Sequence, residues 1–201
     1  MDYQHAYDKL PLFGVGLALG VFLIAQHVLM LIKREQVQHA LVKFQRDSKV
    51  GQILLAIGFG WFWLLCAPAN LGILSSLVMD FGEFNSAKPL LRILVPAAIF
   101  AVAISVRDFL AVRALGLIGL MVAAPILQAA FLEEPASRLL LPIYAYALLT
   151  ISMFLVGKPY FFRDGLDWVK AKDSRWQALS LFGLAYGVAI VVCAVMFWRG
   201  Y

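Results

Sequence analysis

Five charged residues provide the most distinctive chemistry in this sequence: Arg107, Asp108 and Arg113 in one segment, and Arg163 and Asp164 in another. The first three interrupt a long apolar stretch, and the last two lie in a basic connector. Guanidinium groups beside carboxylates either lock helix ends together as ion pairs or bind a phosphate headgroup or a soluble partner. We predict that the five residues form a polar cluster at the inner face of a membrane. Structural ion pairing is the simpler interpretation of it.

Charged residues usually lie at the ends of apolar segments, and Arg113 is the member of this cluster that fits this rule least. It lies about one turn inside an apolar segment, where a charged side chain is costly. The side chain must therefore extend to the membrane surface, pair with Asp108, or line a water-filled cavity.

The two cysteines and one histidine are the other reactive side chains inside apolar segments. Cys66 and Cys193 lie at similar depths from the inner ends of their segments, so they could form a disulfide on the outer side if their helices touch. Free apolar thiols are the commoner state. His27 has no second histidine in an apolar segment to share a haem or a metal, so a hydrogen bond to a neighbouring helix is the favoured interpretation.

Catalytic signatures are missing from the sequence. It contains no G-x-S-x-G, H-E-x-x-H, P-loop or strand-linked G-x-G-x-x-G motif. No aspartate or glutamate falls in the middle of an apolar segment, although ion-coupled transporters usually need one there. We therefore expect no catalytic residue, no cofactor and no metal site, and the balance is against an enzyme.

The composition of the chain indicates that these residues lie in a membrane protein. The 201-residue chain is 63% hydrophobic and 14% charged, against about 45–50% and about 25% in soluble domains. This excess predicts a single membrane domain over residues 1–201, in a bacterial-type inner membrane. The net charge of +5 comes from short segments between apolar runs, which predicts contact with anionic headgroups rather than with nucleic acid.

Span length then predicts an all-α bundle of six transmembrane helices. Residues 90–131 would form a helix of about 63 Å, twice the thickness of a bilayer core, so the chain must turn at Arg107 and Asp108. The connectors at 35–49 and 160–177 are expected to hold short helices along the membrane surface. The predicted spans are 10–32, 50–69, 90–106, 109–131, 139–156 and 178–198.

Charge distribution predicts the orientation of this bundle. With six spans, twelve of the 17 lysines and arginines share one side, which should be cytoplasmic, and both termini lie on the other side. Trp176 and Trp198 flank the last span, where we expect them to act as interfacial anchors.

Two small-xxx-small motifs predict close helix packing. Gly16 and Gly20 lie in the first span, and Gly183 and Gly187 lie in the last. Small residues let helix backbones approach closely in lipid. Packing within the protein is the favoured interpretation, and a face for another membrane protein is the alternative.

These features favour a non-catalytic accessory or scaffold component of a membrane assembly. A small-solute transporter or channel around Arg113 and Gln128 is the first alternative. A lipid-handling enzyme is the second, and it would need Asp108 or Asp164 beside a nucleophile or a metal on the inner basic face.

Overall fold

The computed structural model describes residues 5–68, 72–105 and 109–200, and these residues form helices without any strand. The predicted all-helical fold class is therefore confirmed. The described residues include four short 3₁₀ helices, one before the first α-helix and three in connectors, at Ala6–Lys9, Gly72–Leu77, Gly82–Ala87 and Ala136–Leu139. The α-helices are α1 (Leu12–Ile32), α2 (Arg34–Phe44), α3 (Ser48–Cys66), α4 (Lys88–Ser105), α5 (Leu110–Ala129), α6 (Leu140–Gly157), α7 (Tyr160–Lys170) and α8 (Asp173–Phe197).

Among the described residues, five helical segments are long and apolar enough to cross a membrane: α1, α3, α5, α6 with the 3₁₀ turn before it, and α8. This supports the membrane character predicted from composition. The remaining long helix, α4, covers most of the third predicted span, contains Pro96, and is not one of the five.

Local chemistry determines where several helices begin. The Asp47 carboxylate accepts hydrogen bonds from the backbone N–H groups of Lys49 (3.0 Å) and Val50 (3.1 Å), which caps the start of α3. Phe109 precedes α5 with a φ of 55°, a left-handed conformation that is unusual for a residue with a side chain. Pro159 precedes α7, where the lack of an N–H group costs nothing.

Helices α1 and α8 pack against each other in opposite directions. A Cβ added to Gly20 would lie 3.0 Å from the carbonyl oxygen of Gly187, and one added to Gly187 would lie 3.1 Å from that of Gly20. At the far end of the pair, Arg34 and Asp173 form an ion pair. The first and last α-helices of the chain therefore lie side by side.

Helices α3 and α5 run in the same direction, with Gly51 beside Ala111 and Gly58 beside Leu117. Helix α4 begins at the end of α3, where Arg92 donates to the carbonyl oxygen of Cys66 (2.8 Å). It ends at Ser105, shortly before α5 begins beside Gly51 near the start of α3, so α4 runs opposite to α3. Helix α6 likewise packs antiparallel on α5. The chain thus returns through α4 before α5 can align with α3.

The described residues form three apolar clusters, of which the smallest contains Leu55, Leu110 and Ala114 between α3 and α5. At the end where α1 begins, Leu12, Ala123, Leu141 and Ile190 belong to a cluster that joins the α1–α8 pair to α5 and α6. At the other end, which we call the α7 end, Met30, Leu166 and Trp176 form a separate cluster with partly buried residues of α2 and α7.

The expectation that Trp176 and Trp198 are interfacial anchors is wrong. Their side chains are 1% and 0% exposed. The indole N–H of Trp176 donates to the carbonyl oxygen of Met30 (2.9 Å), and that of Trp198 donates to Ser137 Oγ (2.8 Å). Both residues lie at the ends of α8 but face inward, where a buried indole N–H needs a partner.

Candidate functional site

Arg113 binds the end of a neighbouring helix. Its Nη1 donates to the carbonyl oxygen of Val156 (3.1 Å), in the last turn of α6. A cation at this position is favoured, because the final carbonyl groups of a helix lack partners and carry partial negative charge. The Nε atom is buried and has no hydrogen-bond partner within the described ranges.

The rest of the predicted inner-face cluster divides into two parts. Arg163 and Asp164 form an ion pair with each other (2.8 Å) on α7, and both side chains are about half exposed. Arg107 and Asp108 lie outside the described residues. The described members of the cluster therefore sit on different helices, with Arg113 facing α6 and the other two paired within α7.

All four glycines of the small-xxx-small motifs lie at the contact between α1 and α8. Gly16 abuts the Trp198 ring, Gly20 faces Gly187, and Gly183 abuts the ring of His27. The structure thus uses both motifs within the chain.

His27 differs from the expectation that it would bond to a neighbouring helix. Its Nδ1 pairs with the carbonyl oxygen of Leu23 (2.7 Å), one turn earlier in its own helix. The ring fits against α8 only because Gly183 has no side chain. The histidine therefore serves as a packing group.

Cys66 and Cys193 are both free thiols. Cys66 is fully buried in α3, which packs on α4 and α5, whereas Cys193 lies in α8, which packs on α1 and α7. Within the described residues, no group of three or more histidine, cysteine, aspartate or glutamate side chains could hold a metal ion.

Polar groups at the end opposite α7 are engaged with one another. The Trp61 indole donates to the Tyr7 hydroxyl (2.6 Å), and burial raises the pKa of Tyr7 in spite of this hydrogen bond. Hydrogen bonds from the Asn85 side chain and the Gly82 backbone hold the pKa of Asp80 below its ordinary value. This end therefore has an ordered polar surface.

A concave feature at the α7 end was not predicted from the sequence. It is an apolar cavity of about 600 Å³ between α6, α7 and α8, which falls within the range of about 300–1,000 Å³ for small-molecule sites. We call it the α7 cleft. Its floor is formed by the buried residues Leu155, Leu166 and Trp176, and its walls include Ile151, Phe154, Phe161, Trp168 and Leu179.

The amphipathic sequence of α7 explains the position of this cleft. Phe162, Leu166 and Val169 recur at helical spacing and pack toward Met30 and Trp176. These contacts hold α7 at the end of the bundle where α6 ends and α8 begins. The wall residues remain 46–60% exposed, so the cleft is open on its outer side.

Two cations lie on the aromatic wall of the cleft. The Lys158 Nζ is 5.9 Å from the centre of the Phe161 ring, and the Arg175 guanidinium carbon is 4.1 Å from the centre of the Trp168 ring. Arg175 also donates to the carbonyl oxygen of Trp168 (3.0 Å). Each exposed aromatic residue of α7 that lines the cleft thus has a positive charge on its ring face.

Charged and catalytic residue types do not mark this site in the sequence, because its lining is almost entirely apolar. The available signal was Phe161 and Trp168, two exposed aromatic residues seven positions apart in a basic connector. No protein-family model, curated protein or solved structure matches the chain.

Proposed function

We propose that this chain is a six-span protein of a bacterial-type inner membrane and a non-catalytic accessory or scaffold component of a membrane assembly. In this arrangement α1, α3, α4, α5, α6 and α8 cross the bilayer. Helices α2 and α7 lie along the cytoplasmic surface, close to anionic headgroups, and both termini lie on the opposite side.

The helix directions support six crossings. Because α3 and α5 run parallel and touch, the chain between them must return across the same thickness, and α4 is the helix available for this. Its 18 residues span about 27 Å, close to the thickness of a bilayer core of about 30 Å.

The proposal of a non-catalytic role rests on the hydrogen bonds that three polar side chains make between helices. Arg113 binds the end of α6, Arg92 binds the end of α3, and Trp176 binds the end of α1. Each side chain donates to a backbone carbonyl group of another helix, so these donors hold the bundle together. Such a bundle is suited to present fixed outer faces to other membrane proteins.

A cysteine-labelling experiment tests the crossing of α4 and the orientation. In a background that lacks Cys66 and Cys193, single cysteines replace Lys43, Asp167 or Glu134, all exposed. Six spans predict that an impermeant thiol reagent labels Glu134→Cys in intact cells, and labels Lys43→Cys and Asp167→Cys only after lysis. Labelling of Lys43→Cys and Asp167→Cys from opposite sides would reject six crossings, and labelling of both from outside would reverse the orientation.

A second experiment tests the assembly. The tagged full-length protein is extracted from its own membrane in mild detergent and analysed by native gel electrophoresis and quantitative mass spectrometry. We expect a discrete complex in which another membrane polypeptide is present at a fixed ratio. Recovery of the protein only as a monomer, in several mild detergents and after cross-linking in the membrane, would reject the scaffold role.

A further inference from the structure

We propose that the α7 cleft is a binding site for one anionic phospholipid of the surrounding leaflet, with an acyl chain between α6 and α8 and the phosphate beside Lys158 and Arg175. The proposal requires that α6 and α8 lie in the membrane. It requires neither the scaffold role nor a particular orientation.

The lining of the cleft indicates an apolar chain. Ile151 and Phe154 of α6 face Leu179 of α8 across the cleft, and these three residues are 47–57% exposed. The cleft is therefore continuous with the apolar surface that lipid covers, and a chain can enter it sideways from the bilayer.

The charges around the cleft indicate the headgroup. The segment 158–175 has five basic and three acidic residues. Two of the acidic residues are already paired, Asp164 with Arg163 and Asp173 with Arg34. Four basic residues thus remain against Asp167 alone: Lys158, Lys170, Lys172 and Arg175. The segment that borders the cleft is therefore net positive, and its Lys158 and Arg175 lie on lining residues, where they are complementary to a phosphate.

Selectivity must come from the headgroup rather than from the acyl chain. A lipid tail is as apolar as the cleft, so moving a chain from the bilayer into it contributes little. Each basic residue near a membrane surface contributes about 1 kcal/mol toward an anionic lipid. Lys158 and Arg175 together therefore predict roughly a thirtyfold preference for an anionic over a zwitterionic lipid.

Quenching of tryptophan fluorescence by brominated lipids tests this preference. The full-length protein is reconstituted in phosphatidylcholine vesicles that contain a small fraction of dibrominated phosphatidylglycerol or, separately, dibrominated phosphatidylcholine. Trp168 lines the cleft and is 60% exposed, and a Trp168→Phe variant identifies its part of the signal. We expect the phosphatidylglycerol probe to quench Trp168 at a much lower mole fraction. Equal quenching of Trp168 by the two lipids would overturn the proposal.

Two sets of variants separate the chain site from the charges. Gly165 lines the cleft, and a Cβ there meets nothing within 4 Å, so the backbone of α7 has room for a side chain and Gly165→Leu should occupy the cleft. Gly60→Leu in α3 has equal space and is its control. We expect Gly165→Leu to abolish the preferential quenching and Gly60→Leu to preserve it. Preserved quenching in Gly165→Leu would place the lipid elsewhere and overturn the proposal.

The charge variant is Lys158→Gln with Arg175→Gln, and its control is Lys43→Gln with Arg46→Gln on the α2 side. We expect only the first pair to remove the preference for phosphatidylglycerol. An equal loss in both pairs would show general surface attraction and overturn the proposal. A second result would also overturn it: the two lipids quench the wild type equally, and the wild type forms a dimer that Gly165→Leu dissociates. A second copy of the chain would then occupy the cleft.

Discussion

Replacing Gly187 with alanine should force α1 and α8 apart. The new Cβ would lie 2.9 Å from the Cβ of Leu23 and 3.1 Å from the carbonyl oxygen of Gly20. Both atoms are fixed by the backbone of α1, so no rotation of a side chain can relieve the overlap. Carbon atoms in favourable contact are about 3.5–4.0 Å apart, so the helices must separate by more than about half an ångström.

The expected magnitude follows from comparison with a glycine that has open space. Gly60 in α3 meets nothing within 4 Å of an added Cβ. Alanine in place of either glycine gains up to about 1 kcal/mol of helix propensity, and this gain cancels in the comparison. Overpacking costs about 1–3 kcal/mol, which should appear as the difference in the free energy of unfolding between Gly187→Ala and Gly60→Ala.

Thermal unfolding in mild detergent measures this difference. Trp176 and Trp198 are buried at the two ends of the α1–α8 contact, so their fluorescence reports its separation. A chain of this size shifts its Tm by about 2–4 °C for each kcal/mol. The Tm of Gly187→Ala should therefore lie about 2–12 °C below that of Gly60→Ala.

Equal Tm values for the two alanine variants would refute this reasoning. They would mean that the backbones of α1 and α8 are not in close approach at Gly187. The antiparallel pairing of the first and last α-helices would then be wrong as well.

Three further predictions concern single interactions. Arg113→Met should lower the free energy of unfolding by about 1–2 kcal/mol, because the carbonyl group of Val156 at the end of α6 loses its cation, whereas Arg113→Lys should recover part of this in the same unfolding assay. Leu132→Gly should raise the Tm slightly, because Leu132 has a φ of 59° and is 77% exposed, so that glycine relieves strain of about 1 kcal/mol and loses little packing. Because the pKa of Asp80 is lowered, its ionised form stabilises the folded loop above the ordinary pKa of aspartate, and this stabilisation is lost as the pH falls through the lowered pKa. Asn85→Ala removes the hydrogen bond that lowers the pKa most, so stability measured against pH should fall less steeply on the acid side. An unchanged dependence of stability on pH would contradict this assignment.

The sequence allowed the helices to be predicted because their signals are local. In the structure Asp47 caps the start of α3 by accepting hydrogen bonds from the backbone N–H groups of Lys49 and Val50, which is a contact within three residues. The amphipathic spacing of Phe162, Leu166 and Val169 indicated a helix along the surface, and the structure packs these three residues inward. The all-helical class followed from composition and span length.

The pairing of helices could not be predicted, because it depends on residues far apart in the chain. Trp176 and Trp198 were assigned to the membrane surface from their depth alone, but the rotation of α8 against α1 turns them inward. The hydrogen bond of His27 within its own helix likewise depends on Gly183, more than 150 residues away.

The candidate site was missed for a related reason. The α7 cleft arises where α6 and α8 meet α7, and no single segment of sequence contains it. Its lining carries almost no polar atoms, so a search for ionisable groups identified Arg113 and the Arg163–Asp164 pair instead. An apolar cleft becomes visible only when the packing of helices is known.

The pairing of α1 with α8 has a consequence for biosynthesis. About 140 residues separate Ile32 from Asp173. At a synthesis rate of about 5–20 residues per second, α1 waits roughly 7–30 s in the membrane before its partner emerges. During that interval its glycine face can meet other helices, including those of insertion factors or newly made copies. Pairing of α1 with α8 is therefore a late step, and ribosome stalling before α8 would leave an unclosed intermediate open to mispairing and proteolysis.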